Sequence, residues 1–514
     1  MKKIYKSLTV SAIVATVSLS AMPQSIVITH ASQPTKQQQT VLFDRSHGQT
    51  AGAADWVSDG AFSDYADSMQ KQGYDVKAID GHSNITETSL KNSKIFVIPE
   101  ANIPFKESEQ TAIVNYVKQG GNVVFISDHY NADRNLNRID SSEAMNGYRR
   151  GAYEDMSKGM SAEEKSSTAM KGVKSSDWLS TNFGVRFRYN ALGDLNTSNI
   201  VTSKESFGIS EGVKSVSMHA GSTLAITDPE KAKGIVYTPE KLPAKSKWSH
   251  AVDQGIYNGG GKEEGAYVAI SKVGKGKAAF IGDSSLVEDS SPKYLREDTG
   301  EKKKTYDGFK EQDNSKLLNN ITTWMSKDND GKSLKASGVT LDAKTKLLDF
   351  EKPENSTEPE KEPWAQPPSG YKWYDPTTFK AGSYGSEKGA DPQPNTPDDN
   401  TSTNQNGKVS FDIPQNVSVN EPFQVTIHLK GFEANQTLEN LRVGIYKDGG
   451  QQIGQFSNGN DAFSPPGYST LPTVTADENG NATIKINAKV LESTDGSKIR
   501  LKLGDKTLIT TDFK

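Results

Sequence analysis

The chain has 514 residues, a formal charge of −4 and no cysteine. Lacking cysteine, it has no disulfides, no thiolate metal sites and no cysteine nucleophile. The slightly acidic balance excludes a globally basic polyanion binder, and the length is enough for two or more cores.

At the start, Met1-Lys2-Lys3-Ile4-Tyr5-Lys6 precedes an apolar region from Leu8 to about Ala21, and Thr29-His30-Ala31 offers small residues that a signal peptidase reads. A charged start, a short apolar run and a small-residue exit predict a secretory signal peptide over 1–31 rather than a membrane helix. Its removal takes away Lys2, Lys3 and Lys6 and moves the charge from −4 to −7. No later stretch approaches the roughly 18 apolar residues that span a bilayer. The end, Thr510-Thr511-Asp512-Phe513-Lys514, carries no wall-anchoring pattern. The expectation is a secreted, extracellular protein, released or held at the cell surface by binding alone.

From residue 40 to 327, short apolar runs alternate with amphipathic stretches. Val41-Leu42-Phe43 predicts a strand, and Ala53 to Gln72 a helix with Trp56, Ala61, Tyr65 and Met69 at helical spacing. Strands follow at Val76–Ile79 and Ile95–Ile98, then a helix from Ser108 to Lys118. Gly120-Gly121 launches the strand Val123-Val124-Phe125-Ile126. Residues 141–177 are polar and predict a helical excursion. Further strands are expected at Ser215–Met218, Leu224–Thr227, Gly234–Tyr237, Tyr267–Ser271 and Ala278–Ile281, closed by a helix over Ser315–Met325. This alternation argues for an α/β domain with a parallel sheet covered on both faces.

Residues 328–405 change character. Proline, glutamate, asparagine and threonine favour an extended linker, interrupted by an aromatic segment with Trp364, Tyr371, Trp373, Tyr374, Phe379 and Tyr384. Those rings either pack on a neighbouring domain or face a sugar or base. From 406 to 514 the period switches to two, with turns at Gly449-Gly450 and Asn479-Gly480, which predicts a C-terminal all-β sandwich of immunoglobulin-like type.

Three loops carry residues suited to chemistry. Asp44-Arg45-Ser46-His47-Gly48-Gln49 follows the first strand. Its glycines permit close approach to a ligand, with Ser46, Gly48 and Gln49 as binding groups and His47 as a catalytic candidate. It also fits a tight turn with a capping network. The second is Asp128-His129-Tyr130-Asn131-Ala132-Asp133-Arg134, past the strand at Val123. Asp128 and His129 could hold a divalent metal or act as base and orienting partner, with Asn131, Arg134 and Arg138 as ligand contacts. It equally fits an arginine–carboxylate lattice, with Arg149 and Arg150, that pins a long loop. An EF-hand is excluded, because position six is Arg138 and position twelve Ala144. The third, Gly282-Asp283-Ser284-Ser285, resembles the Gly-Asp-Ser block of serine esterases, but it closes the domain and no histidine follows until His428. Asp283 and Ser284 are instead expected to line the crevice shared with Asp128 and His47. His219 and His250 are expected to be structural, and Lys302-Lys303-Lys304 a solvated surface loop.

Ser46-His47-Gly48, the unit Tyr116-Val117-Lys118-Gln119-Gly120-Gly121-Asn122-Val123-Val124 and the strand Gly276 to Ser284 resemble a class I glutamine amidotransferase-like domain of the ThuA-like and intraflagellar-transport/gliding-type branch. The resemblance implies a flavodoxin-like sheet, but without cysteine the amidotransferase activity is not implied. The chain also resembles secreted Gram-positive proteins loosely labelled DNA-binding. Two functions are expected from these residues. The α/β domain binds, and with a metal hydrolyses, a phosphate- or sugar-bearing ligand such as extracellular DNA or glycan. Alternatively, the sandwich and aromatic linker make a non-catalytic adhesion or matrix-binding protein.

Overall fold

The computed structural model describes residues 39–81, 83–133, 136–358, 367–386, 408–414, 417–432, 434–447, 452–458, 462–503 and 506–513. The signal segment, Arg134 and Trp364 lie outside these. Contacts divide the chain into two units, Met1–Pro392 and Gln393–Lys514.

The first unit begins with β1 (Thr40–Asp44), α1 (Ser63–Lys71), β2 (Asp75–Ile79), α2 (Glu87–Leu90), β3 (Ser93–Ile98), α3 (Glu107–Gln119) and β4 (Asn122–Ile126). Short helices α4 (Ser141–Asn146), α5 (Ala162–Ser166) and α6 (Trp178–Phe183) follow. Then come β5 (Val185–Phe187), β6 (Leu195–Thr197), β7 (Val216–Met218), β8 (Leu224–Ile226), β9 (Ala232–Tyr237), α7 (Gly261–Glu264), β10 (Ala266–Val273), β11 (Gly276–Ile281) and α8 (Asn314–Ser326).

The central sheet runs β2-β1-β3-β4-β11-β10-β8-β5, with β9 also on β10. The half from β2 to β11 is parallel. The expected all-parallel sheet is corrected beyond β11: β10, β9, β8 and β5 pair antiparallel. The reason is local. Only Gly274-Lys275 separates β10 from β11, and a two-residue connection with φ 57° at its glycine makes a hairpin, whereas a parallel pair needs a long crossover.

Side chains on the parallel strands alternate between two cores, as the period of two requires. Leu42, Phe96, Val123 and Phe125 pack with Ile113 and Val117 of α3. Val41, Phe43, Val124 and Ile126 pack with Tyr65 and Met69 of α1 and Leu317, Leu318 and Ile321 of α8. These strands read as unbroken apolar runs because both faces are covered.

Two expected helices shrink. Of Ala53–Gln72, α1 forms from Ser63 on, because Asp55 turns the preceding stretch: its carboxylate accepts Ala61 N at 3.0 Å, Lys293 N at 2.6 Å and Tyr294 N at 2.7 Å. The excursion over 141–177 contains α4 and α5, each a little over one turn and opened by a side-chain cap, Asp140 and Ser161. The segment expected as linker differs as well. Glu351 makes a buried two-pronged ion pair with Arg188, both bonds 2.6 Å, and Trp373 joins the core beside Glu164. Residues 328–358 and 367–386 therefore wrap the α/β unit.

The second unit is built of antiparallel strands β12 (Lys408–Asp412), β13 (Phe423–Lys430), β14 (Thr437–Leu438), β15 (Leu441–Lys447), β16 (Gly454–Ser457), β17 (Ser469–Thr470), β18 (Val474–Thr475), β19 (Ala482–Val490), β20 (Ser497–Leu503) and β21 (Lys506–Asp512). Two four-stranded sheets, β12-β13-β19-β16 and β17-β15-β20-β21, bury a core of Val425, Ile427, Val443, Ile445, Ile484, Ile499 and Leu501. The alternation along β13, Val425-Thr426-Ile427-His428-Leu429, is the half-buried strand pattern. Among the described residues of the whole chain, no helix is long and apolar enough to cross a membrane.

Candidate functional site

Four neighbouring parallel strands each deliver a buried carboxylate at their carboxyl ends. Asp44 ends β1, and Glu100, Asp128 and Asp283 lie two residues past β3, β4 and β11. Ile126 and Ile281 are paired across β4 and β11, so Asp128 and Asp283 stand level. Open α/β sheets place their ligand crevices at this edge.

Asp44 organises the first loop. Its carboxylate accepts Ser46 N at 2.9 Å, Ser46 Oγ at 2.7 Å and Gln49 Nε2 at 2.9 Å, and pairs with His47 Nδ1 at 2.9 Å. The other ring nitrogen, Nε2, stands 3.4 Å from Glu109 Oε1, and the ring lies on Phe105 at 4.5 Å. Burial would lower the His47 pKa, but the two carboxylates overcome it and raise it to about 10. His47 is thus a fixed imidazolium clasped by two anions, a poor general base near neutrality. Gly48, at φ 72°, and Gly52, at φ 79°, take left-handed backbone that other residues resist. A Cβ on Gly52 would stand 2.8 Å from Asp133 Cα, so the first and second loops touch backbone to backbone here.

Lys303 pins the same loop from beneath. Its buried ammonium donates to the carbonyls of Thr50 and, at 3.0 Å, Ala54, and pairs with Glu297 at 3.0 Å. The expected solvated loop is corrected at this residue. Lys302 and Lys304 are exposed, but Lys303 is a buried peg.

Asp128 faces the third loop. Oδ1 accepts His129 N and Oδ2 accepts Ser284 Oγ, both at 2.6 Å. Asp283 accepts Tyr267 Oη at 2.6 Å, His219 N at 2.7 Å and Ser285 N at 2.8 Å. Burial, and then the charge of Asp283, push the Asp128 pKa well above the carboxylate range. Burial also pushes Glu288 up to about 7, although Tyr306 N and Trp56 Nε1 donate to it. Ser284 has Asp128 and Glu288 as hydrogen-bond partners and no histidine, so it is no triad serine.

Glu100 was not singled out from the sequence. It is 0% exposed, and neither carboxylate oxygen has a hydrogen-bond partner among the described residues. Burial raises its pKa well above the usual range, and Asp128, Asp140, Asp133 and Glu288 add to it in that order. The available signal was positional: Pro99-Glu100 directly follows a predicted strand.

The remaining candidates lie as follows. His129 is engaged locally: Nδ1 donates to the Tyr130 carbonyl at 2.7 Å, the ring lies on Trp248 at 3.8 Å, and Nε2 is 3.9 Å from Asp128 Oδ1. Asn131 adopts φ 66° and donates its N–H to Asp140 at 2.6 Å, which shapes the loop. Arg138 holds Glu164 through bonds of 3.1 and 3.2 Å, Arg149 donates to the carbonyls of Met156 and Lys158, and Arg150 pairs with Asp253 beside Tyr130, Tyr189 and Phe350. These arginines tie the long loop down. Asp128, Asp283, Ser284 and Glu288 converge, whereas His47 belongs to Asp44 and Glu109. Among the described residues no three His, Asp or Glu side chains form a group that could by itself hold a metal.

The aromatic segment reaches the first loop. A cavity of about 90 Å³ is lined by Tyr371, Trp373, Tyr374, Phe379 and Tyr384 together with His47, Gly48, Asn84 and Asn137. Tyr371 and Phe379 stack at 5.6 Å and 18°, and Tyr371 Oη donates to Asn137 Oδ1 at 3.3 Å.

No family model matches the chain, and no curated protein matches it. Among solved structures, the N-terminal domain of mmIFT52 is similar at 11% identity and a TM-score of 0.35, over 56% of this chain and 98% of that one. A ThuA-like protein from Bacteroides uniformis is similar at 11% identity and a TM-score of 0.32, over 58% of this chain and 94% of that one.

Proposed function

We propose that this is a secreted protein whose α/β unit, of the cysteine-free amidotransferase-like and flavodoxin-like kind, binds an extracellular glycan in the aromatic cavity, and whose C-terminal unit is an immunoglobulin-like binding or spacing module. The observation that carries the reading is the return of the aromatic segment onto the His47 loop. Five aromatic side chains line the cavity together with the polar side chains of Asn84 and Asn137. An apolar ring surface with a few placed polar groups suits a sugar ring, which has C–H faces and hydroxyl edges.

The cavity's cations argue against phosphate. Arg45 is held by Asp59 and Asp80 and His47 by Asp44 and Glu109, while Lys106 Nζ donates to the neutral amide of Asn84. Nucleic-acid binding draws on cations that can exchange counterions with phosphates, and two of the three, Arg45 and His47, are already neutralised by carboxylates.

The test is to immobilise the full chain and pass over it a panel of defined oligosaccharides and a DNA duplex, at low and high salt. Saturable binding of an oligosaccharide, little changed by salt and weakened at least about tenfold in Tyr371→Ala and Phe379→Ala, is expected; loss of one central aromatic contact costs about 1.4 kcal/mol or more. No oligosaccharide binding, or binding indifferent to both substitutions, sinks the reading. DNA affinity that falls steeply with salt would replace glycan by nucleic acid.

A further inference from the structure

We propose that the bound glycan carries a carboxylate and that Arg149 holds it, in a second cavity that adjoins the aromatic one. The inference rests on the glycan reading of the aromatic cavity and names the class of sugar, a uronate or another carboxyl-bearing saccharide.

The second cavity measures about 600 Å³. Asn137, Tyr371, Trp373 and Tyr374 line both cavities. A chain of sugar rings resting on the aromatic segment can therefore extend from one cavity into the other.

Most charged residues that line this cavity are matched within the protein. Arg138 holds Glu164 at 3.1 Å, Arg150 pairs with Asp253 at 3.1 Å, Lys372 with Glu163 at 2.6 Å and Glu358 with Lys158 at 3.0 Å. Glu143 accepts Arg150 N at 2.7 Å, and its other oxygen accepts Asp140 N at 2.9 Å. Burial, and then Asp140, push the Glu143 pKa up to about 7 against the pull of Arg149, so it carries only part of a negative charge near neutrality. Arg149 is the exception. Its Nη1 donates to the carbonyls of Met156 and Lys158 at 2.8 and 2.9 Å, which fixes the guanidinium without neutralising it, and among the described residues it has no carboxylate partner.

The chemistry of the ligand follows from the edge of the guanidinium that those two carbonyls leave open. Arg138, Arg186, Arg188 and Arg296 each grip a carboxylate through Nε and Nη2 together. These two nitrogens form one edge of the planar fork and match the two oxygens of a carboxylate. In Arg149 the same edge has no partner among the described residues, and the side chain is half-buried with that edge open to solvent, whereas Nε and Nη1 of Arg150 are sealed inside. A carboxyl-bearing sugar offers two oxygens for this edge and ring faces for the aromatic segment.

The test is titration calorimetry on the full chain with a panel of uronate oligosaccharides, each paired with the same oligosaccharide after its carboxylates are reduced to primary alcohols, at low and high salt. The uronate form should bind at least about tenfold more tightly, the worth of a charge-assisted two-pronged bond. An ion pair inside a cavity is screened little, so the preference should persist at high salt. Arg149→Gln should bring the uronate form down to the affinity of the reduced one. Arg149→Lys, which keeps the charge and loses the fork, should recover only part of the difference. Binding of neither form overturns the glycan reading and this inference with it. Equal binding of the two forms by the unaltered chain leaves the glycan reading standing and overturns this inference alone, whether or not a variant folds. A preference unchanged in a folded Arg149→Gln overturns the assignment to Arg149.

Discussion

The Ser284 hydroxyl donates to Asp128 at 2.6 Å, joining the loops that follow β11 and β4 across the centre of the acidic crevice. Both residues are buried, and Asp128 has Asp283 as its strongest charged neighbour. This bond gives Asp128 its side-chain donor among repelling carboxylates.

Ser284→Ala should therefore destabilise the α/β unit by about 1–3 kcal/mol, the cost of leaving a buried acceptor unsatisfied. The urea midpoint of that unit's transition measures it. Ser285→Ala is the comparison, because Ser285 meets Asp283 through its backbone N–H, which alanine keeps. Equal losses in the two variants would show that the hydroxyl of Ser284 has no special part.

His47 sets a pH dependence of definite sign. Folding raises its pKa from 6.5 to about 10, so its contribution is complete below about pH 6.5 and is lost as pH rises through 10. For Asp44 and Glu109, burial works upward, but His47 outweighs it and holds both below their ordinary values. Their contribution is present above those ordinary values and is lost as pH falls through the acid range. His47→Gln should cost about 3–5 kcal/mol at pH 7, as when one member of a buried pair is removed. The gap in melting temperature between parent and variant should close towards pH 10. A gap that stays constant from pH 6 to 10 would mean that the ring is neutral.

Lys303 and Lys304 separate burial from composition. Lys303→Met strands Glu297 and two carbonyls in the interior and should cost about 3–5 kcal/mol. Lys304→Ala removes an exposed side chain and should stay within about 0.5 kcal/mol. Thermal melts of the two variants side by side decide it. Pairing Lys303→Met with Glu297→Gln should recover part of the loss, since the unpaired buried charge is then gone.

The contrast within this one run of lysines shows what the sequence could and could not reveal. The strands β1 to β4 and helix α3 were legible because each is a local pattern: an unbroken apolar run, or Ile113, Val114 and Val117 at helical spacing, ended by Gly120 at φ 117°. Asp128, Asp283 and Ser284 were legible as strand-end residues for the same reason. Lys303 was not, because its burial is decided by Thr50 and Ala54, about 250 positions away. His47 was legible as a residue with work to do, but not as a cation, since Glu109 comes to its loop from helix α3, 62 positions on. Glu100 lay in plain view after a predicted strand and carries no motif. The β10–β11 hairpin had a local signal, Gly274-Lys275 between two apolar runs, and its consequence for strand direction followed from loop length alone.

The boundary at residue 327, natural from composition, yields the last prediction. A chain ending at Lys327 ends just after α8, yet it removes Glu351 from Arg188, whose side chain is 1% exposed. It also removes Trp373, which donates to Glu164 at 3.1 Å and belongs to the same buried core as Met170 and Trp178. The first loss leaves a buried guanidinium unpaired, at about 3–5 kcal/mol. The second empties an aromatic site, at about 3–5 kcal/mol. Together they rival the whole stability of an ordinary domain, about 5–15 kcal/mol. Residues 39–327 should therefore be recovered unfolded or aggregated, and residues 39–386 as a folded protein with a cooperative melt. Cooperative melting of the shorter chain at the temperature of the longer one would return residues 328–386 to the status of a tether.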